Sequence, residues 1–176
     1  MIISLEEAQK IDSSITQDDL DAFEQSVRSL TSNNFQMKQV RFMVTALNDR
    51  SITVSNTING VRSGDTLELN YTQFNDGLYE IEEIKGDIVI IKGDPLYQEK
   101  PKQAILTLIK YPPDIKQGIK KLIKYDKKMA GKIGVKSETI SRMSTTYYDV
   151  NATDNTDGYP KALLSFLNKY KKMRWS

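Results

Sequence analysis

Two of the side chains that most often carry chemistry are missing from this 176-residue sequence, which contains no histidine and no cysteine. Without imidazole there is no Ser-His-Asp arrangement, and the commonest general base and metal ligand are gone. Without thiols there are no disulfides, thiolate zinc sites or cysteine nucleophiles. Carboxylates, lysines and tyrosines remain. Glu80, Glu82 and Glu83 form the densest acidic group, but Glu80 and Glu82 alternate with Tyr79, Ile81 and Ile84, as on the solvent face of a strand. Asp65, Asp76 and Asp94 each adjoin a glycine, the ordinary composition of a turn. Asp154 and Asp157, near Asn151 and Asn155, have a calcium-binding composition but lack the ordered spacing and terminal Glu of an EF-hand loop. Gly134-Val135-Lys136-Ser137 lacks the spaced upstream glycine of a phosphate-binding loop. The expectation is a protein that is not an enzyme, with no cofactor and no metal site.

The cations are more suggestive. Seven lysines lie between Lys116 and Lys132, with Tyr111 and Tyr125 nearby. Lys116, Lys120, Lys124 and Lys127 are candidates for contact with DNA phosphates or a partner protein. A solvated helix face has the same composition. The segment Lys169–Ser176 interleaves cations with Tyr170 and Trp175; such a tail can stack bases or anchor an interface, and the interface reading is preferred. The net charge of +2 conceals a separation: residues 1–99 hold 8 basic and 17 acidic side chains, residues 100–176 hold 17 and 6. Opposite surfaces meeting between neighbouring copies would suit head-to-tail packing.

Periodicity divides the chain into three parts. Ser4 with Glu7, and Thr16 with Asp19, are capping-box spacings that open two helices. Leu20, Phe23, Val27 and Leu30 form an apolar stripe on the second, which Ser32-Asn33-Asn34 ends. Residues from about Gln39 to Ile109 are then rich in Val, Ile, Thr and Tyr and punctuated by turn signals. Strands are expected at Val40–Leu47, Ser51–Asn56, Thr66–Tyr71, Leu78–Lys85, Asp87–Lys92 and Ala104–Lys110. Five or six short strands point to a small barrel, SH3-like or OB-like. After Pro113 the helical period returns through Ile115, Ile119, Leu122, Ile123 and Met129, and Gly131 and Gly134 are read as its end. Lys136–Asp149 is β-biased, an extended arm or a short hairpin. Gly158-Tyr159-Pro160 is expected to open a last helix carrying Leu163, Leu164, Leu167 and Tyr170.

The organisation is therefore α+β: a helical domain of about four helices, residues 1–36 plus 111–176, interrupted by an inserted β-rich domain at 37–110. The first residues lack the basic and apolar regions of a signal peptide. Apolar runs such as Ile88–Ile91 are far short of the ~20 residues of a membrane span. A soluble protein without membrane partners is expected.

Leu5–Ala8, the acidic-start helix Asp18–Leu30, the Pro-x-x-Ile helix Pro113–Ile123, the arm Gly134–Ile140 running to Tyr147, and the Tyr-Pro-x-x-Leu segment Tyr159–Leu167 together resemble the head–tail connector (adaptor) proteins of tailed bacteriophages. The resemblance covers about residues 1–36 and 111–176. The insertion departs from the small all-helical members, so its role is not carried over. The resemblance implies a subunit of a ring, twelve-fold in the virion, located under the portal protein, joining head to tail and passing double-stranded DNA through its lumen. Its implied partners are other copies, the portal, and the next tail-side connector or stopper protein; its place is the virion, and the host cytoplasm during assembly. Lys136, Ser137, Glu138, Ile140, Met143, Tyr147, Tyr170, Arg174 and Trp175 become interface candidates by that likeness. The alternative is a sequence-nonspecific nucleic-acid-binding module using the barrel or the lysine helix.

Overall fold

A computed structural model describes residues 1–130, 137–140, 143–146 and 155–173. The protein is mixed α+β, and its chain divides into two compact units: one of Asn34–Tyr111 with Met1, the other of Ile2–Asn33 and Pro112–Ser176.

The β unit holds a seven-stranded antiparallel sheet. Its strands are β1 (Gln36–Asp49), β2 (Ser51–Val54), β3 (Thr66–Asn70), β4 (Gly77–Lys85), β5 (Ile88–Ile91), β6 (Leu96–Glu99) and β7 (Ile105–Ile109). They are ordered β2-β5-β4-β3-β7-β1-β6, and β1 pairs with β2 as well. This second pairing follows from the length of β1. Its first half pairs with β7 (Phe42↔Leu106) and its second half with β2 (Leu47↔Ile52), so six strands are hydrogen-bonded in a cycle. β6 takes an edge beside Leu47 and Asp49. The register of β1 shifts between Val44 and Ala46. Phe42 and Val44 are buried two apart, and the bulge lets the next buried residue be Leu47, three further on. These side chains pack with Ile52, Leu67, Ile81, Ile91 and Leu106 into one core.

A loop at 71–76 is built by its own polar groups. The Asp76 carboxylate accepts from Tyr71 N (3.2 Å), Thr72 N (2.7 Å) and the Thr72 hydroxyl (2.7 Å). Burial raises the pKa of that carboxyl, but the bonds from Thr72 and Tyr71 outweigh it and leave the group below its usual range. Asn75, almost fully buried, exchanges bonds with β6: its Nδ2 donates to Tyr97 O (3.1 Å), and Tyr97 N donates to its Oδ1 (2.8 Å).

The helical unit comprises α1 (Leu5–Gln9), α2 (Gln17–Thr31), α3 (Pro113–Met129), α4 (Lys161–Leu164) and a 3₁₀ segment, Ser165–Tyr170. Two short hairpins accompany them: β8 (Ser137–Ile140) with β9 (Met143–Thr146), and β10 (Asn155–Thr156) with β11 (Tyr159–Pro160). The Thr16–Asp19 capping box forms in full, whereas at Ser4 only the bond from Glu7 N to the hydroxyl (3.3 Å) is made. α3 starts at Pro113, whose missing N–H costs nothing in the first turn. Its last helical residue is Met129, and Ala130, with a ψ of 126°, has already left the helical region; Gly131 and Gly134, read as its end, lie outside the described residues. The expected last helix is shorter than its apolar spacing implied. Tyr159 and Pro160 are extended and paired with β10, and helix begins only at Lys161 for a single turn before tightening to 3₁₀. At Gly118 the 3₁₀ segment leaves no room for a side chain: an added Cβ would lie 2.2 Å from Phe166 Cζ.

Candidate functional site

Phe23 and Leu30 belong to the α2 stripe, yet they are only half-buried, whereas Leu20 and Val27 are fully inside. The difference comes from a groove. A cleft of about 480 Å³ runs between α2, α3 and the C-terminal segment. Its apolar wall includes Phe23, Leu30, Ile119, Leu122, Leu164 and Leu167. Ala22 and Ser26 line it from exposed positions on α2.

The charged groups of the groove include a cluster beside the turn after α1. There the Lys127 ammonium donates to Ile11 O (2.7 Å), next to Asp12. Asp12 accepts from Ser14 N and the Ser14 hydroxyl, and these bonds, with the Lys127 charge, hold its carboxyl below the usual range. Asp19, Asp126 and Asp157 line the same cleft. Tyr159 donates its hydroxyl to Asp126 Oδ2 at 2.6 Å. Desolvation pushes the Asp126 carboxyl up despite that bond, and burial with the neighbouring carboxylate pushes the Tyr159 hydroxyl far above the usual tyrosine range. Beyond the lining residues, at the C-terminus of α2, Lys172 N donates to Thr31 O (2.8 Å). Tyr170 donates to Asp114 Oδ1 (2.6 Å) and Lys169 pairs with Asp114 Oδ2 (2.5 Å). Bonds from Lys169 first and then Tyr170 lower the Asp114 pKa.

The sequence candidates divide accordingly. Lys116 and Lys124 are exposed on α3. Lys120 is half-buried, 3.4 Å from Glu7 Oε1, and Lys127 is bonded to the turn after α1. Residues 2–33 carry 2 basic and 7 acidic side chains and residues 112–176 carry 14 and 6, and both segments lie in this one unit. Part of the expected charge contrast is therefore met within the chain and is not left for a neighbour. Tyr170 is likewise tied to Asp114 by its hydroxyl. Ser137, Glu138, Ile140 and Met143 fall in the β8–β9 hairpin, with Ile140 opposite Met143. Lys136, Tyr147, Arg174 and Trp175 lie outside the described residues. The Glu80–Glu83 cluster is spread among cations: Lys92 with Glu80, Arg50 with Glu82, and Lys85 with Glu83. Among the described residues there is no group of acidic side chains that could hold a metal, and no helix long and apolar enough to cross a membrane.

Sequence reasoning missed the groove and one further surface. On the β unit, Tyr71, Phe74 and Tyr97 are each about two-thirds exposed, and Phe74 meets Tyr97 edge-on at 5.9 Å. The Asn75–β6 bonds hold that pair, and no periodicity announces it. Compared with known proteins, the chain matches no protein-family model and no curated protein.

Proposed function

We propose that the protein is a structural connector subunit that assembles into a ring with copies of itself. In this reading the ring sits under the portal protein of a tailed phage, hands over to a tail-side connector or stopper protein, and passes double-stranded DNA through its lumen. The observation that carries the reading is the groove. An open, largely apolar cleft on a small, highly charged protein is a surface for another macromolecule. The motif resemblance of the flanking segments supplies the phage context. The β unit is then a small barrel of SH3-like or OB-like kind, a reading supported by the cyclic strand pairing, and it enlarges the contact surface.

The alternative, nonspecific nucleic-acid binding, draws on Lys116, Lys121, Lys124 and Lys128, all exposed on α3. In the connector these lysines face the lumen. Sedimentation of the full chain across a protein and salt series separates the two readings. Ring-sized species are expected to grow with concentration, and replacing Lys136–Asp149 by a Gly-Ser linker is expected to leave a folded monomer. A chain that stays monomeric with portal present, yet retains DNA until salt reaches about 0.5 M, overturns the connector in favour of the alternative.

A further inference from the structure

We infer that the groove is the receptor for the basic, aromatic segment Lys171–Trp175 of a second copy. The inference rests on the ring reading in taking its partner to be another copy of this chain. The groove is lined by Asp12, Asp19, Asp126 and Asp157 against one cation, Lys127. The segment carries Lys171, Lys172 and Arg174, with Met173 and Trp175 between and after them. Three excess negative charges thus face three positive ones, and apolar walls face a thioether and an indole. Trp and Arg are the side chains that most often anchor an interface in a desolvated pocket.

Geometry selects a second copy over the same chain. Lys172 N is bonded to Thr31 O at the C-terminus of α2, next to the groove residue Leu30. From there to Arg174 the backbone spans at most about 7 Å. Asp19 and Thr31 stand at opposite ends of α2, twelve residues apart, which is about 18 Å of helix. The described start of the segment, Lys171–Met173, is therefore held in its own copy at the end of α2 opposite Asp19. A neighbour's segment can lie along the whole cleft. Groove and segment are different surfaces, so the contact is head-to-tail and closes into a ring when the rotation between copies permits.

The sequence contains a single tryptophan, Trp175, so its emission reports the segment alone. The test adds a peptide of residues Lys169–Ser176 to the full chain carrying Trp175→Phe. Saturable binding with a blue-shifted indole is expected, weakening several-fold between low salt and about 0.5 M. Ser26→Arg, at an exposed position on the groove wall, is expected to weaken binding at least tenfold. No shift at several hundred micromolar peptide, or a shift that Ser26→Arg leaves unchanged, overturns the proposal whether or not rings form. In parallel, Arg174→Glu with Trp175→Ala is expected to abolish concentration-dependent sedimentation. Unaltered rings from that variant overturn the proposal and leave the ring reading standing. Peptide binding by a chain that never self-associates keeps the groove's ligand and overturns the ring.

Discussion

Asn75 in the β unit and Asp126 in the helical unit are both polar side chains drawn out of water, and they are treated in opposite ways. Asn75 is enclosed: its N–H donates to the Thr72 hydroxyl, its Nδ2 donates to Tyr97 O and the Glu99 carboxylate, and its Oδ1 accepts from Tyr97 N. Asp126 accepts from the Tyr159 hydroxyl and stands on the wall of an open cleft with its pKa raised. The β unit is near charge balance, 9 basic against 10 acidic side chains over residues 34–111, while the helical unit gathers opposite charges on different segments. One unit satisfies its groups internally. The other keeps an apolar wall and the carboxylates of Asp12, Asp19, Asp126 and Asp157 around an open cleft.

The largest expected effect tests the separateness of the two units. Leu106 is fully buried in the β core, so Leu106→Ala is expected to cost about 3–4 kcal/mol. Amide exchange in β1 and β7 should accelerate by roughly 10²- to 10³-fold, with α3 amides unchanged. Equal acceleration in α3 would mean that the two units unfold as one.

A second pair of substitutions asks where the helical unit has room. Gly118→Ala improves helix propensity by about 1 kcal/mol but drives a methyl into Phe166, for a net expected loss of about 1–2 kcal/mol. In a Phe166→Ala background the same change should become stabilising, a sign reversal readable by urea denaturation. Ala22→Leu, on the groove wall, should stay within about 1 kcal/mol of neutral because space is present. A large loss there would show the cleft to be closed in solution.

The smallest effect concerns the wall of the groove. Tyr159→Phe removes the hydroxyl that donates to Asp126 and is expected to cost about 1–2 kcal/mol at pH 7. Asp126 already has a raised folded-state pKa, and losing this bond raises it further. A raised carboxyl contributes stability below its unfolded value of 3.8 that is lost as pH rises through the folded pKa. The deficit of the variant against the parent should therefore shrink as pH falls through that raised value. Asp12, Asp19, Asp76 and Asp114, whose pKa values are lowered, weaken both proteins in acid, so the difference between the two is the quantity to follow. A deficit constant from pH 7 to 4 would remove Asp126 from the explanation.

Much of the architecture was legible because it is local. Thr16 and Asp19 specify their helix start by side-chain length and spacing, and alternation with glycine-marked turns located six of the seven strands of the large sheet. β6 was missed because Leu96–Glu99 has one buried residue at its start and follows Pro95, which reads as turn. Its partner groups on β1 and the Asn75 bonds supply what its composition does not. The groove was illegible for a different reason. Phe23 and Leu30 are apolar at helical spacing whether a partner covers them or not. Only the cross-chain arrangement, with Phe166 seated against Gly118 and Tyr159 against Asp126, leaves the space between.

The closing of the β unit also bears on how the chain is made. Gln36 pairs with Ile109, Lys110 N donates to Phe35 O at 3.0 Å, and the Phe35 and Tyr111 rings lie 4.8 Å apart. Once folded, the insert therefore enters and leaves at one point. During synthesis α1 and α2 emerge first, with Leu20 and Val27 lacking the α3 residues they will share a unit with. An unstructured stretch the length of Asn34–Tyr111 would oppose their meeting α3 with a closure entropy of roughly 4 kcal/mol, from the logarithmic dependence on loop length. A β unit whose ends already meet at Phe35 and Lys110 removes most of that term from the docking of α2 with α3. The insertion then leaves the two segments of the helical unit, ending at Asn33 and starting at Pro112, joined through a closed unit and not across a loose chain of that length.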